Sequence, residues 1–307
     1  MAVAIDHFPS GQGFRVGGKP VPSEMIGALE PARLSDDLQY TLDRRGYILL
    51  RKLIDPDAVM AARYEILEAL RSVGEITEPA ATAVASGTSR RAELHPDLGS
   101  FWRGISESAA LRRAVHGPEI RSAMVQLFNV EVSPFDFVWL RAMAPGRASP
   151  MHMDHPYMNR GTDRLVTCWV PLGPVAPDEA PLYVMEGSHK FGDLRARVAG
   201  LDVDRDKSLS GHFADDPIDL ARDRGMRLLT TAFNPGDVLI FGMFAIHASF
   251  DNTSRAGRVR LSCDTRWQPS SEPMDERFRG PDPPAHDGKG YGCLSAAQPL
   301  TARPALR

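Results

Sequence analysis

The segment Ser149-Pro150-Met151-His152-Met153-Asp154-His155-Pro156-Tyr157 sets an imidazole and a carboxylate two residues apart. On an extended backbone side chains alternate faces, so His152 and Asp154 would point the same way and could grip one metal ion. Alone, His-x-Asp is a weak signal. A second copy stands at His95-Pro96-Asp97, but Pro96 and the lack of flanking apolar alternation argue for a loop there. A third ligand would turn the pair into chemistry. His247 ends the apolar run Val238 to Ile246, introduced by the turn Asn234-Pro235-Gly236-Asp237. A lone histidine on such a run is more often a satisfied core residue. Joined to His152 and Asp154, it would place two imidazoles and one carboxylate on one side of an ion and leave the opposite positions open. That suits iron(II) with a cosubstrate and O2.

The elements that must position these groups are legible in outline. Residues 1–34 are rich in Gly and Pro and read as an extended N-terminal arm that packs on the body or stays mobile. Asp36 to Arg45 reads as a short helix, Gly46 to Leu50 as a strand, and Asp55 to Val73 as an amphipathic helix begun by Asp55-Pro56. Glu75 to Pro96 has no periodicity and reads as a long surface loop or lid. Helices are expected over Glu107 to Val115 and Pro118 to Phe128. Strands are expected over Phe135 to Arg141, Arg164 to Val170, Leu182 to Val184, Asp237 to Phe241 and Arg258 to Trp267, with Gly146, Gly173-Pro174, Gly187 and Pro235-Gly236 as turns. Many short strands suggest a sandwich or barrel covered by helices. The charged stretch Phe191 to Gly225 reads as a solvated insertion, and residues 269–307 as an irregular tail.

Composition narrows the partners. Hydrophobic residues at 43% and charged residues at 24% of 307 residues allow a sizeable core. A net charge of -3 lacks the basic footprint that nucleic-acid binding requires. Cys168, Cys263 and Cys293 are widely spaced, which argues against a disulfide scaffold or zinc ribbon and for a reducing compartment. Without a signal-like N-terminus or an eighteen-residue apolar stretch, the expectation is a cytoplasmic protein with no membrane partner. Its oligomeric state cannot be read from the sequence.

Arg258 lies eleven residues after His247, and Ser249 two residues after it. Together with His152-x-Asp154, the run His247-Ala248-Ser249-Phe250-Asp251-Asn252-Thr253-Ser254, Trp169-Val170-Pro171-Leu172 and Gly187-Ser188-His189, they resemble the phytanoyl-CoA dioxygenase family of iron(II)- and 2-oxoglutarate-dependent oxygenases. The resemblance runs over residues 35–268. It implies a mainly β fold with flanking helices, a double-stranded β-helix (jelly-roll, cupin-like barrel). It further implies that His152, Asp154 and His247 hold Fe(II), that Arg258 grips the far carboxylate of 2-oxoglutarate, and that Ser249 donates to the same group. Arg260, two residues on, would share a strand face with Arg258 and could take its role. Thr167 is a further candidate for 2-oxoglutarate. His189 would support the fold, and His155 would lie behind the ligands or meet substrate.

The expected reaction is hydroxylation of a small organic substrate, with release of succinate and CO2. Desaturation, epimerisation or ring formation would use the same cofactors, and a non-catalytic cupin-like metal-binding or sensor protein would keep the barrel without turnover. Tyr157, Asn159 and Arg160 are candidates to touch substrate. Arg147, Arg160 and Arg266 could meet an anionic group.

Overall fold

Val238 to Phe241 are all buried, yet their side chains enter two different cores. Leu239 and Phe241 pack with Tyr47, Leu49, Trp169, Leu182 and Val184. Val238 and Ile240 pack with Ile48, Leu50, Cys168 and helix residues such as Ile66 and Leu70. This alternation is the period-two pattern of a strand covered on both faces. The computed structural model describes residues 13–287 and 298–301. Residues 1–12 of the expected arm, and Cys293 with the 288–297 part of the tail, lie outside the described residues.

Among the described residues a seven-stranded sheet runs in the order Pro31–Ala32, Tyr47–Leu50, Val238–Gly242, Val166–Pro171, Arg260–Pro269 and Val132–Pro134, with Trp139–Met143 also paired to Arg260–Pro269. A four-stranded sheet runs His247–Ser249, Leu182–Met185, Leu228–Thr230, Ile26–Ala28. The first apolar core lies between the two sheets, and helices cover the outer face of the larger one. The result is the jelly-roll class of fold, mainly β with flanking helices.

Local chemistry sets the helix ends. The Asp37 carboxylate accepts from the Tyr40 N–H at 2.9 Å to start Leu38–Arg45, and Gly46 at φ 80° ends it. Asp55 caps Pro56–Ser72, with proline in the first turn. Helices Ala109–Val115 and Pro118–Phe128 lie where the sequence puts them. The helix Leu98–Ser106 was not anticipated. It starts at Asp97, whose carboxylate accepts from the Ser100 N–H at 3.0 Å, so the second His-x-Asp contributes a helix cap.

Three stretches differ from their sequence reading, and the arm takes the packed of its two alternatives. The 13–34 part of the arm is built into the body, because Ile26–Ala28 pairs with Leu228–Thr230 and Pro31–Ala32 with Tyr47–Leu50. The supposed loop after Glu75 is no free lid: Glu75 and Arg91 form a fully buried ion pair at 2.5 Å, and Val84 bridges to Arg258. The charged 191–225 insertion carries helices Gly192–Val198 and Pro217–Asp223, whose Leu194, Val198, Ile218 and Leu220 pack with Met151, Met153 and Ile246. In the tail Phe278 is fully buried and Arg277 pairs with Asp275 and Asp204. In each case a few apolar or paired residues inside a polar stretch supply the anchor.

Candidate metal centre

The ligand segment is held from both sides. His152 exchanges backbone hydrogen bonds with His247, at 3.1 and 3.0 Å, and also bridges to His212 of the insertion. Asp154 (φ -73°, ψ -23°) turns the chain into the short helix His155–Tyr157. On the other side, the Ser188 hydroxyl accepts the Ile246 N–H at 2.9 Å just before His247. His189 contacts the Asp43 carbonyl at 3.0 Å, supporting the fold away from the metal ligands.

One ligand atom each from His152, Asp154 and His247 lie within 4.8 Å of one another, and all three residues are buried. Asp154 Oδ1 stands 3.5 Å from His152 Nε2 and 3.7 Å from His247 Nε2. Each imidazole has its other nitrogen on a backbone carbonyl: His152 Nδ1 on Pro150 at 2.8 Å, His247 Nδ1 on Ala245 at 3.0 Å. A carbonyl can only accept, so both Nδ1 atoms carry the proton and both Nε2 lone pairs face Asp154. That tautomer is the one a metal needs.

Electrostatics agree. Burial, reinforced by His152, pushes the His247 imidazole down to about 4, which keeps it neutral near pH 7. Burial alone would raise the Asp154 carboxyl, but Arg266 and the two histidines outweigh it and hold the group well below the usual carboxylate range. A buried carboxylate with two imidazole Nε2 atoms beside it fits a divalent cation.

The cavity beside these ligands is lined by Arg141, Ser149, Trp169, His212, Ser249, Arg260, Asp264 and Arg266, among others. Leu261, Cys263 and Trp267 of the Arg260–Pro269 strand pack against the helix layer. Arg260, Ser262, Asp264 and Arg266 therefore face the interior. Arg260 is 3% exposed, and its Nε and Nη2 have no hydrogen-bond partner among the described residues. Burial pushes this guanidinium down to about 10. Two unpaired donors in an enclosed cavity are costly unless an anion satisfies them, which suits a dicarboxylate cosubstrate. The Ser249 hydroxyl accepts from the Ser149 N–H at 2.7 Å and keeps its own proton to donate.

Arg258 is placed differently. It precedes the strand, its side chain is 48% exposed, and its Nε donates to Glu179. The Thr167 hydroxyl donates to Asp154 Oδ2. Of the candidates for substrate, the Tyr157 ring stands edge-on to His152, with centroids 5.6 Å apart. Asn159 donates to the Leu201 carbonyl at 2.7 Å, and Arg160 forks onto Asp202, so both tether the insertion. His155 stacks on Phe244, and Arg147 donates to the Leu300 carbonyl at 2.6 Å. Sequence reasoning missed His212, which no local pattern reveals, and Arg141 and Asp264. The last has a signal, an even offset from Arg260 along one strand.

A jelly-roll with buried His, Asp and His beside a cavity fits the class of proteins with a two-histidine, one-carboxylate metal centre. The chain belongs to the phytanoyl-CoA dioxygenase family (PhyH), matched over residues 42–260. It is thus an iron(II)- and 2-oxoglutarate-dependent oxygenase. It is 27% identical over 275 residues to a 1-deoxypentalenic acid 11-beta-hydroxylase of Streptomyces exfoliatus, covering 85% of this chain and 91% of that protein. A Streptomyces arenae protein with the same name is 26% identical, at 85% and 91% coverage. In fold it is similar to the non-heme alpha ketoglutarate dependent carbocyclase SnoK from nogalamycin biosynthesis, with TM-score 0.54, 19% identity, and 90% and 98% of the two chains covered. The epimerase SnoN from the same biosynthesis gives TM-score 0.51, 17% identity, and 86% and 94% coverage. Among the described residues no helix is long and apolar enough to cross a membrane.

Proposed function

We propose that the protein hydroxylates a small organic substrate, with His152, Asp154 and His247 holding iron(II) and Arg260 holding the far carboxylate of 2-oxoglutarate. The observation that carries this reading is the unpartnered, buried Arg260 fork in the cavity beside three buried ligand side chains. When bound, iron(II) and 2-oxoglutarate supply the oxidising chemistry, splitting O2 with release of succinate and CO2. The chain's own part is positional. Nδ1 contacts fix both imidazoles, Arg260 and Ser249 orient the dicarboxylate, and the enclosing walls limit water.

Hydroxylation is favoured because the two Streptomyces relatives are hydroxylases. Their substrate is named as an acid, and Arg141 lies on the cavity wall, where its Nε pairs with Asp264 at 2.7 Å. We assign substrate contact to Arg141, His212 and Tyr157. A cytoplasmic location belongs to the same proposal, supported by the buried free thiols Cys168 and Cys263.

The test is anaerobic addition of iron(II) and 2-oxoglutarate to metal-free protein. A visible charge-transfer band of the chelated 2-oxo acid is expected, lost in His152→Ala and His247→Ala and kept in His95→Ala. Folded wild-type protein without the band would refute the proposal. A screen for substrate-triggered succinate formation then identifies the substrate.

A further inference from the structure

The two oxygens of Asp154 have different surroundings. Oδ1 faces the imidazoles at 3.5 and 3.7 Å. Oδ2 accepts the Thr167 hydroxyl and lies 3.2 Å from Arg266 Nη2. Thr167 and Arg266 are directly registered partners across the Val166–Pro171 and Arg260–Pro269 strands, so a single cross-strand pair grips one carboxylate oxygen. Arg266 is itself fixed: its Nε donates to Met158 Sδ at 3.0 Å, and its guanidinium lies 4.7 Å from the centroid of the Trp139 ring. Thr167 is 1% exposed and Arg266 also 1%. Neither can leave the carboxylate for water without opening the sheet.

We infer that Thr167 and Arg266 are positioning residues that restrain Asp154 Oδ2 and limit Asp154 to one-oxygen coordination of the metal. The inference rests on the metal-site reading above. A carboxylate free to pivot can offer both oxygens to one ion, and the second would occupy a position needed by the cosubstrate or O2. The Thr167 hydrogen bond and the ion pair with Arg266, both on Oδ2, oppose that rotation, since turning the carboxylate would break the one and lengthen the other.

Metal affinity is a poor readout, because two effects oppose each other. Loss of an outer contact commonly weakens a site, whereas removing a nearby cation and gaining a second oxygen would strengthen it. The number of waters on the bound ion separates the cases. We would load metal-free protein with Mn(II) alone and count coordinated waters by solvent-proton relaxation. Thr167→Val, which keeps the shape and removes the hydroxyl, and Arg266→Met should each show about one fewer water than wild type, as expected when a six-position ion gains one protein oxygen. Thr167→Ser should restore the wild-type number. Variants that fold as wild type by circular dichroism and keep the wild-type water number would overturn the inference while leaving the metal site intact. If Arg266→Met fails to fold, the Thr167 pair decides. Wild-type protein that binds no Mn(II) would overturn both this inference and the metal-site reading.

Discussion

Arg258 and Arg260 stand two residues apart but face different surroundings: Arg258 is half in solvent and bonded to Glu179, whereas Arg260 is buried in the cavity next to the metal ligands. Period-two alternation joins them only if both lie in the strand. The strand begins at Arg260, and Arg258 belongs to the preceding bridge with Val84.

Arg260→Ala should therefore raise the apparent 2-oxoglutarate requirement by roughly ten- to a hundredfold, the value of a charge-assisted fork, with iron binding little changed. Arg258→Ala should leave that requirement within about twofold of wild type. Titration of the charge-transfer band in both variants is the measurement, and a large defect confined to Arg258→Ala would return the role to that residue.

That His152, Asp154 and His247 come together was legible from the His-x-Asp spacing and from a histidine ending an apolar run. Arg260 was legible only as an alternative to Arg258, since strand ends cannot be read to within two residues. The pairing of Thr167 with Arg266 beside Asp154 depends on the register between two strands distant in sequence, and the place of His212 on how a charged insertion folds back. Neither relationship has a local signature. The apolar positions Leu194, Val198, Ile218 and Leu220 were visible within the insertion, but its charge outweighed them in the reading.

With Asp154 in a coordination position, as proposed, chloride should find none open beside it. Product formed under labelled O2 with excess chloride should carry the oxygen label and no chlorine when analysed by mass spectrometry. A chlorinated major product from the wild-type protein would contradict the ligand assignment.

The Glu75–Arg91 pair anchors the stretch read as a lid. Both side chains are fully buried, and Glu75 also accepts from the Ser89 hydroxyl at 2.6 Å. Arg91→Met would strand a buried carboxylate, at a cost of about 3–5 kcal/mol. Urea denaturation should show this loss, and Arg91→Met combined with Glu75→Leu should lose less. Equal stability of Arg91→Met and wild type would mean that the pair does not anchor the segment.

Acid should destabilise the fold through His116. Burial, with Arg112 alongside, pushes its imidazole down to about 3, against about 6.5 in an unfolded chain. Between those values the unfolded state binds the extra proton, so stability rises with pH there. The contribution is fully present above about pH 6.5 and is lost as pH falls toward 3, amounting to about 2 kcal/mol by pH 5. Urea midpoints at pH 7 and 5 should differ less for His116→Gln than for wild type. An unchanged difference would assign the acid sensitivity elsewhere.

His152 takes part in backbone bridges to His247 on one side and His212 on the other. The strand His247–Ser249 thus supplies one neighbour of His152, and the insertion the other. Changes of length or composition in residues 191–225 can remodel the wall around a substrate while the sheet keeps the ligands in place. Such changes also reach the metal through one shared stretch of backbone. New substrate preferences could therefore arise in this insertion without rebuilding the barrel, but only within the small range of shapes that keeps His212 in register with His152.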